Sequence, residues 1–169
     1  VFIHSSLIFH THFFIISLRN TFRLENTEIM KNLVIGQSGG PTAVINASLY
    51  GAVKAFRESG ADGHVLGMIN GIEGFLADHV MDLSTDLSDK ELELLKLTPA
   101  AYLGSCRYKL PADLDSEVYP AIFDNLREMN IGYFLYVGGN DSMDTVDKLS
   151  RYAEKIGSDV KFIGIPKTI

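Results

Sequence analysis

From Met30 onward, short apolar runs alternate with longer amphipathic stretches, and this alternation predicts a repeated strand–helix order. Residues 33–35 form the first apolar run, which ends in Gly36-Gln37-Ser38-Gly39-Gly40-Pro41. Residues 43–59 carry Val44, Ala47, Leu49, Val53 and Phe56 along one side, which predicts an amphipathic helix stopped by Gly60. A second strand over 64–69 runs into the turn signal Asn70-Gly71. Residues 88–97 read as a short helix in which Ser88 caps the start and Glu91, three residues on, completes a capping box. A loop carrying Gly104-Ser105-Cys106-Arg107 leads to a helix expected over 116–129. Residues 133–137 are all apolar or aromatic, the signature of a strand buried on both faces. They enter Gly138-Gly139-Asn140-Asp141-Ser142, followed by a helix expected over 143–156 and a last strand over 161–165, which ends at Pro166-Lys167-Thr168-Ile169.

Strands that alternate with helices imply an α/β fold, a three-layer, doubly wound, mostly parallel sheet covered on both faces. Ligands of such sheets bind in the crevice beyond the carboxyl ends of the strands. Loops 36–41, 138–142 and 166–169 follow three such ends, so the topology predicts that they converge on one crevice.

The first 29 residues have a different character. Residues 1–18 are apolar and aromatic, with His4, His10 and His12 and no charge before Arg19. There is no basic segment ahead of the apolar stretch and no small-residue cleavage site after it. Ser5, Ser6, Thr11 and the histidines interrupt it, so it does not read as a membrane span. The histidine spacing suits no helical pair of metal ligands. Met30 followed by Lys31-Asn32-Leu33-Val34-Ile35-Gly36 reads as a natural start, which makes residues 1–29 a non-native or disordered extension and 30–169 the α/β domain. A membrane-associating leader is the alternative.

Composition narrows the function classes. The chain has 169 residues, 46% hydrophobic and 21% charged, enough for one domain with a real core. A net charge of −6 without any basic block argues against a nucleic-acid surface, which needs clustered cations. A few placed cations and backbone amides still suffice for small phosphates. Cys106 is the single cysteine, so neither an internal disulfide nor a cysteine metal cluster can form, and a reducing, cytoplasmic setting is expected.

Taken singly, the polar loops are ambiguous. Ser38-Gly39-Gly40 lies between a strand and a helix, where backbone can approach a phosphate, yet a tight turn needs the same glycines. The segment matches neither the dinucleotide fingerprint nor the P-loop. In Gly138-Gly139-Asn140-Asp141-Ser142, Asp141 or Ser142 can simply cap a helix, with Asp144 and Thr145 in its first turn, but capping does not explain two glycines. Lys167, at a strand end beside a hydroxyl, suits a phosphoryl oxygen, and Arg107 in a small-residue loop suits a phosphate clamp; either can equally be a solvated surface cation. No histidine shares a comparable loop with Cys106, which leaves it without a base as a nucleophile.

Together, the order and wording of these loops resemble the phosphofructokinase family. Ser38-Gly39-Gly40 resembles its first phosphate loop, and Gly104-Ser105-Cys106-Arg107 its Gly-Ser-x-Arg segment. Gly138-Gly139-Asn140-Asp141-Ser142 resembles its Gly-Gly-Asp-Asp-Ser motif, and Pro166-Lys167-Thr168-Ile169 the opening of Pro-Lys-Thr-Ile-Asp-Asn-Asp. The resemblance implies an incomplete N-terminal phosphofructokinase domain that transfers a phosphoryl group to the 1-hydroxyl of fructose 6-phosphate in glycolysis. It places Gly39, Gly40, Arg107, Gly138, Gly139 and Ser142 on the phosphate donor, Thr168 on the sugar phosphate, and Lys167 and Asp141 in the catalytic centre. Mg²⁺ is the implied cofactor, with Asn140 where most members have a liganding aspartate. Asp141 stands where ATP users have glycine, and Lys167 is the lysine of pyrophosphate users. Both favour pyrophosphate as donor, with ATP as the alternative. The family's general base follows Thr-Ile, so the polypeptide as written is expected to be inactive. A non-catalytic phosphate-binding α/β module is the reading from another class. The full-length enzyme is expected to be a homo-oligomer, with no nucleic acid or membrane partner.

Overall fold

A computed structural model describes residues 31–167, and the expectation for residues 1–29 and their histidines lies outside that range. The elements run β1 (Asn32–Gln37), α1 (Ala43–Ser59), β2 (Val65–Met68), α2 (Gly71–Leu76), β3 (Val80–Asp82), α3 (Asp89–Leu95), α4 (Val118–Glu128), β4 (Ile131–Gly138), α5 (Asn140–Ile156) and β5 (Lys161–Pro166). The five strands form one sheet in the order β3-β2-β1-β4-β5. β1 pairs in parallel with β2 and β4, β4 pairs in parallel with β5, and β3 alone runs antiparallel to β2.

The antiparallel edge and α2 were not foreseen. The link from Met68 to Val80 is too short to carry a parallel crossover, so the chain turns back beside β2. The expected second strand is accordingly shorter at both ends.

Alternation along each strand distributes side chains between two cores. Leu33, Ile35, Leu135 and Val137 pack with Leu49, Val53 and Phe56 of α1 and Leu92 and Leu95 of α3. Val34, Phe134 and Tyr136 pack on the opposite face with Phe75 of α2, Tyr119 and Ile122 of α4, and Leu149 and Tyr152 of α5. The sheet is thus the middle of three layers, which is why β4 is apolar at every position from 133 to 137.

The local signals hold where they were strongest. Gly60 ends α1 in the left-handed region at φ 74°. Ser88 Oγ accepts from the Glu91 amide at 3.3 Å while the Ser88 amide donates to Glu91 Oε2 at 2.9 Å, the capping box of α3. One boundary requires correction. α5 begins at Asn140, three residues earlier than expected, because extended Gly139 is its cap and the Gly139 carbonyl accepts from both Ser142 and Met143 at 3.0 Å. Poor helix formers are tolerated there, since first-turn N–H groups have no acceptor within the helix to forgo.

Candidate functional site

β1 and β4 are neighbours, but the chain leaves β1 through α1 toward β2 and leaves β4 through α5 toward β5. The two crossovers diverge, which opens a crevice at the carboxyl ends of these strands. Each loop at that end is tied to its neighbours by hydrogen bonds. The Ser38 amide donates to Val137 O at 2.9 Å, and Ser38 Oγ and the Gly39 amide donate to Cys106 O at 3.2 and 3.4 Å. The Lys167 amide donates to Gly138 O at 2.8 Å, and Lys167 Nζ donates to Gly40 O at 2.6 Å. Loops 38–40, 104–107 and 138–142 and the end of β5 therefore do converge. Gly39 sits at φ 78°, where a side chain would be strained.

The two glycines after β4 have separate tasks. A Cβ on Gly138 would lie 2.0 Å from Ser142 Oγ and 3.0 Å from Ser38 O, so this glycine lets the buried Ser142 fold back under the loop. A Cβ on Gly139 would meet nothing within 4 Å, and the same holds for Gly40. Of the two glycines after β4 only Gly139 leaves open space over the backbone, so the reading of that pair as a place of close approach applies to Gly139 alone.

Asn140 and Asp141 are exposed on the first turn of α5, not in a loop ahead of it. Asp141 Oδ1 lies 3.1 Å from Lys109 Nζ, and both side chains are about two-thirds exposed. Asp144 and Thr145 belong to the second turn: Asp144 pairs with Lys148 at 2.6 Å and Thr145 Oγ1 donates to Asp141 O at 3.0 Å. The early start of α5 displaces them from the first turn, where they were expected. Arg107 is exposed directly after Cys106, whose carbonyl anchors the first loop. Thr168 lies outside the described residues.

Cys106 is buried, with Sγ 3.7 Å from the Tyr136 hydroxyl. That hydroxyl accepts from the Ile72 amide at 3.3 Å, and burial pushes its pKa well above the usual phenol range. The cysteine belongs to the packed floor under the loops.

Three contributors escaped the sequence reading. Gln37 and Asn46 are fully buried polar residues. Gln37 Oε1 accepts from the Leu103 amide at 2.9 Å, and Gln37 Nε2 donates to Asn46 Oδ1 at 3.0 Å and to Ile45 O at 3.2 Å. Asn46 Oδ1 also accepts from the Tyr102 amide at 2.8 Å, while Asn46 Nδ2 donates to Thr98 O at 3.0 Å. The pair stitches segment 98–103 to β1 and α1, and that segment leads straight into Arg107. Their signal was an amide in the middle of an apolar helix face and another at the end of a buried strand. The third contributor is Lys109, whose partner is distant in sequence.

The assembly is suited to anions: Lys109 reaches the first turn of the 17-residue helix α5, the Lys167 amide donates to Gly138 O just ahead of it, and Arg107 is exposed on the loop tied to Ser38 and Gly39. Among the described residues, no group of three or more His, Cys, Asp or Glu gathers to hold a metal. None of the described helices is long and apolar enough to cross a membrane.

A phosphofructokinase family model matches residues 32–169. The chain belongs to the phosphofructokinase family. It is 42% identical over 137 residues to the pyrophosphate–fructose 6-phosphate 1-phosphotransferase of Rhodospirillum rubrum, a match covering 81% of this chain and 33% of that protein. The enzyme of the same name from Halomonas elongata is also 42% identical, with 82% and 33% covered. The crystal structure of a pyrophosphate-dependent phosphofructokinase from Nitrosospira multiformis superposes with a TM-score of 0.76 at 39% identity, covering 83% of this chain and 34% of that one. The chain spans about a third of the length of the curated relatives it matches.

Proposed function

We propose that these residues form the phosphate-donor side of a pyrophosphate-dependent phosphotransferase acting on fructose 6-phosphate. The observation that carries the reading is Lys167, fixed at the end of β5 and laid across the Ser38-Gly39-Gly40 loop onto Gly40 O. A cation held there, against the Gly39-Gly40 backbone and with its amide bonded to Gly138 O ahead of α5, is placed for a compact diphosphate. Asp141 favours pyrophosphate over ATP, because its carboxylate opposes a further phosphate at the helix start. The names of the 42%-identical relatives point the same way.

In the reaction, the sugar 1-hydroxyl oxygen forms a bond to one phosphorus of pyrophosphate and the bridging P–O bond breaks. Orthophosphate leaves, the hydroxyl proton passes to a base, and fructose 1,6-bisphosphate is formed. The family resemblance expects that base directly after Ile169. This chain's residues position and neutralise: Lys167 and Arg107 offset charge on the transferring group, and Gly39, Gly40, Gly138, Gly139 and Ser142 shape the donor loops, while the family resemblance assigns Thr168 to the sugar phosphate. The donor set suits a Mg²⁺ ion that arrives on the diphosphate, since the protein offers one neutral amide at Asn140 and a carboxylate already paired with Lys109. Bound there, Mg²⁺ would neutralise phosphate oxygens. A cytoplasmic setting with Cys106 reduced and a homo-oligomeric full-length enzyme belong to the same reading.

Calorimetric titration of the 169-residue chain, with its fold checked by circular dichroism, tests the donor assignment. Magnesium pyrophosphate is expected to bind and magnesium ATP not to bind. Lys167→Ala and Arg107→Ala should each weaken pyrophosphate about tenfold or more, in line with loss of a charge-assisted contact. ATP binding as tight as pyrophosphate would move the assignment to an ATP-dependent 6-phosphofructokinase. A folded chain that binds neither donor would overturn it.

A further inference from the structure

The ion pair at the rim raises a problem that the donor reading alone does not solve. Asp141 carries a full negative charge at the start of α5, the place where an anionic donor has to arrive. Unopposed, that charge would repel pyrophosphate as well as ATP. Lys109 is its counter-ion at 3.1 Å.

Lys109 is held by its neighbours rather than hanging free from a loop. Cys106 and Leu110 are buried, Tyr108 is half-buried, and Arg107 and Lys109 are exposed, so both cations face solvent from a segment whose other residues face inward. Both ends of this segment are anchored. Cys106 O accepts from Ser38 Oγ and the Gly39 amide, and Leu110 O accepts from Lys148 Nζ of α5 at 3.0 Å. Lys148 is itself mostly buried and paired with Asp144 one turn further along α5. The segment is therefore tied to the start of α5, through Lys109 to Asp141 in its first turn and through Leu110 to Lys148 in its third.

We infer that Lys109 is a positioning residue for donor choice: it neutralises and orients Asp141, so that the pair admits pyrophosphate while the carboxylate stays in the way of a longer phosphate chain. This rests on the proposal that the site takes pyrophosphate. Lys109 acts through Asp141, so its loss should matter only while that charge is present.

The test is pyrophosphate titration of four forms of the full chain: wild type, Lys109→Met, Lys109→Arg, and the double variant Lys109→Met/Asp141→Asn. Both positions are exposed, and circular dichroism confirms that each variant folds. Lys109→Met should weaken binding about fivefold, the factor for one unopposed unit charge a few ångströms away in a water-like medium. Lys109→Arg should restore it, and the double variant should return to within about twofold of wild type. An unchanged Lys109→Met overturns the inference and leaves the donor reading standing. A double variant as weak as Lys109→Met also overturns it, since the lysine would then act without Asp141. If the folded wild type binds no pyrophosphate, both proposals fall together.

Discussion

Asn46 offers the sharpest test of how the site is held. Its side chain is fully buried and makes three hydrogen bonds, to Gln37 Nε2, the Tyr102 amide and Thr98 O, at 3.0, 2.8 and 3.0 Å. Asn46→Ala removes all three at once. Gln37 Nε2 keeps a second acceptor in Ile45 O, and Thr98 lies on an exposed stretch where water can reach its carbonyl. The Tyr102 amide loses its acceptor. That amide is part-buried, so its loss costs about 1 kcal/mol, the lower part of the range of about 1–3 kcal/mol for an unsatisfied group, and the truncation of the fully buried side chain adds about 2 kcal/mol through the lost bonds and a small cavity. A total of roughly 3 kcal/mol follows, which lowers the urea midpoint by about 1–2 M for a slope near 2 kcal/mol per molar. Urea unfolding followed by circular dichroism reads this shift. Hydrogen exchange supplies the local control: the amides of Tyr102 and Leu103, which are held by Asn46 and Gln37, should lose protection. A midpoint shift below about 0.5 M with both amides unchanged would refute the claim that the buried amide pair holds segment 98–103.

Two further outcomes follow from the geometry. Gly138→Ala should lower stability by roughly 1–3 kcal/mol, because its Cβ meets Ser142 Oγ and the Ser38 carbonyl, whereas Gly139→Ala, with open space around it, should stay within about 0.5 kcal/mol; thermal unfolding separates the two. Hydrogen bonds from Lys96, Tyr50 and Lys54 pull the Glu93 carboxyl down to about 2, below its unfolded value. Its stabilisation is therefore complete above about pH 4.3 and lost as pH falls toward 2. Glu93→Gln should be less stable than wild type by under about 1 kcal/mol above that window, since the side chain is half exposed, and equal to it near pH 2 in acid-unfolding curves.

What was legible in the chain was local. Gly60 and the Ser88–Glu91 box mark helix ends within a few residues of sequence, and the unbroken apolar run in β4 can arise only where both faces are covered. β3 was not legible, because three residues carry no period and its direction is set by the length of the link before it. The start of α5 was misplaced because Asn, Asp and Ser favour caps over helix interiors, and here the cap is Gly139. In the site, the cations Lys167 and Arg107 could be named from their loops, but Lys109 could not. Its meaning comes from Asp141, and that meeting depends on how segment 106–110 lies against α5.

The direct passage from β4 into α5 also explains how a charge at the proposed donor site can be kept. An acidic residue in the first turn complements the helix dipole by about 0.3–1 kcal/mol at an exposed site. Asp141 is the acid in that turn of α5, and Lys109 balances it from outside. In the unliganded protein the carboxylate is therefore favourable to the fold in two ways, and under the proposed function the same carboxylate opposes a nucleotide. Had the helix begun at Met143, Asp141 would lie in a mobile polar loop with neither support, and its position relative to the donor would be loosely defined. Discrimination by a fixed charge requires that the charge be fixed, and the glycine cap at 139 supplies that condition by letting the helix begin directly at the sheet's edge.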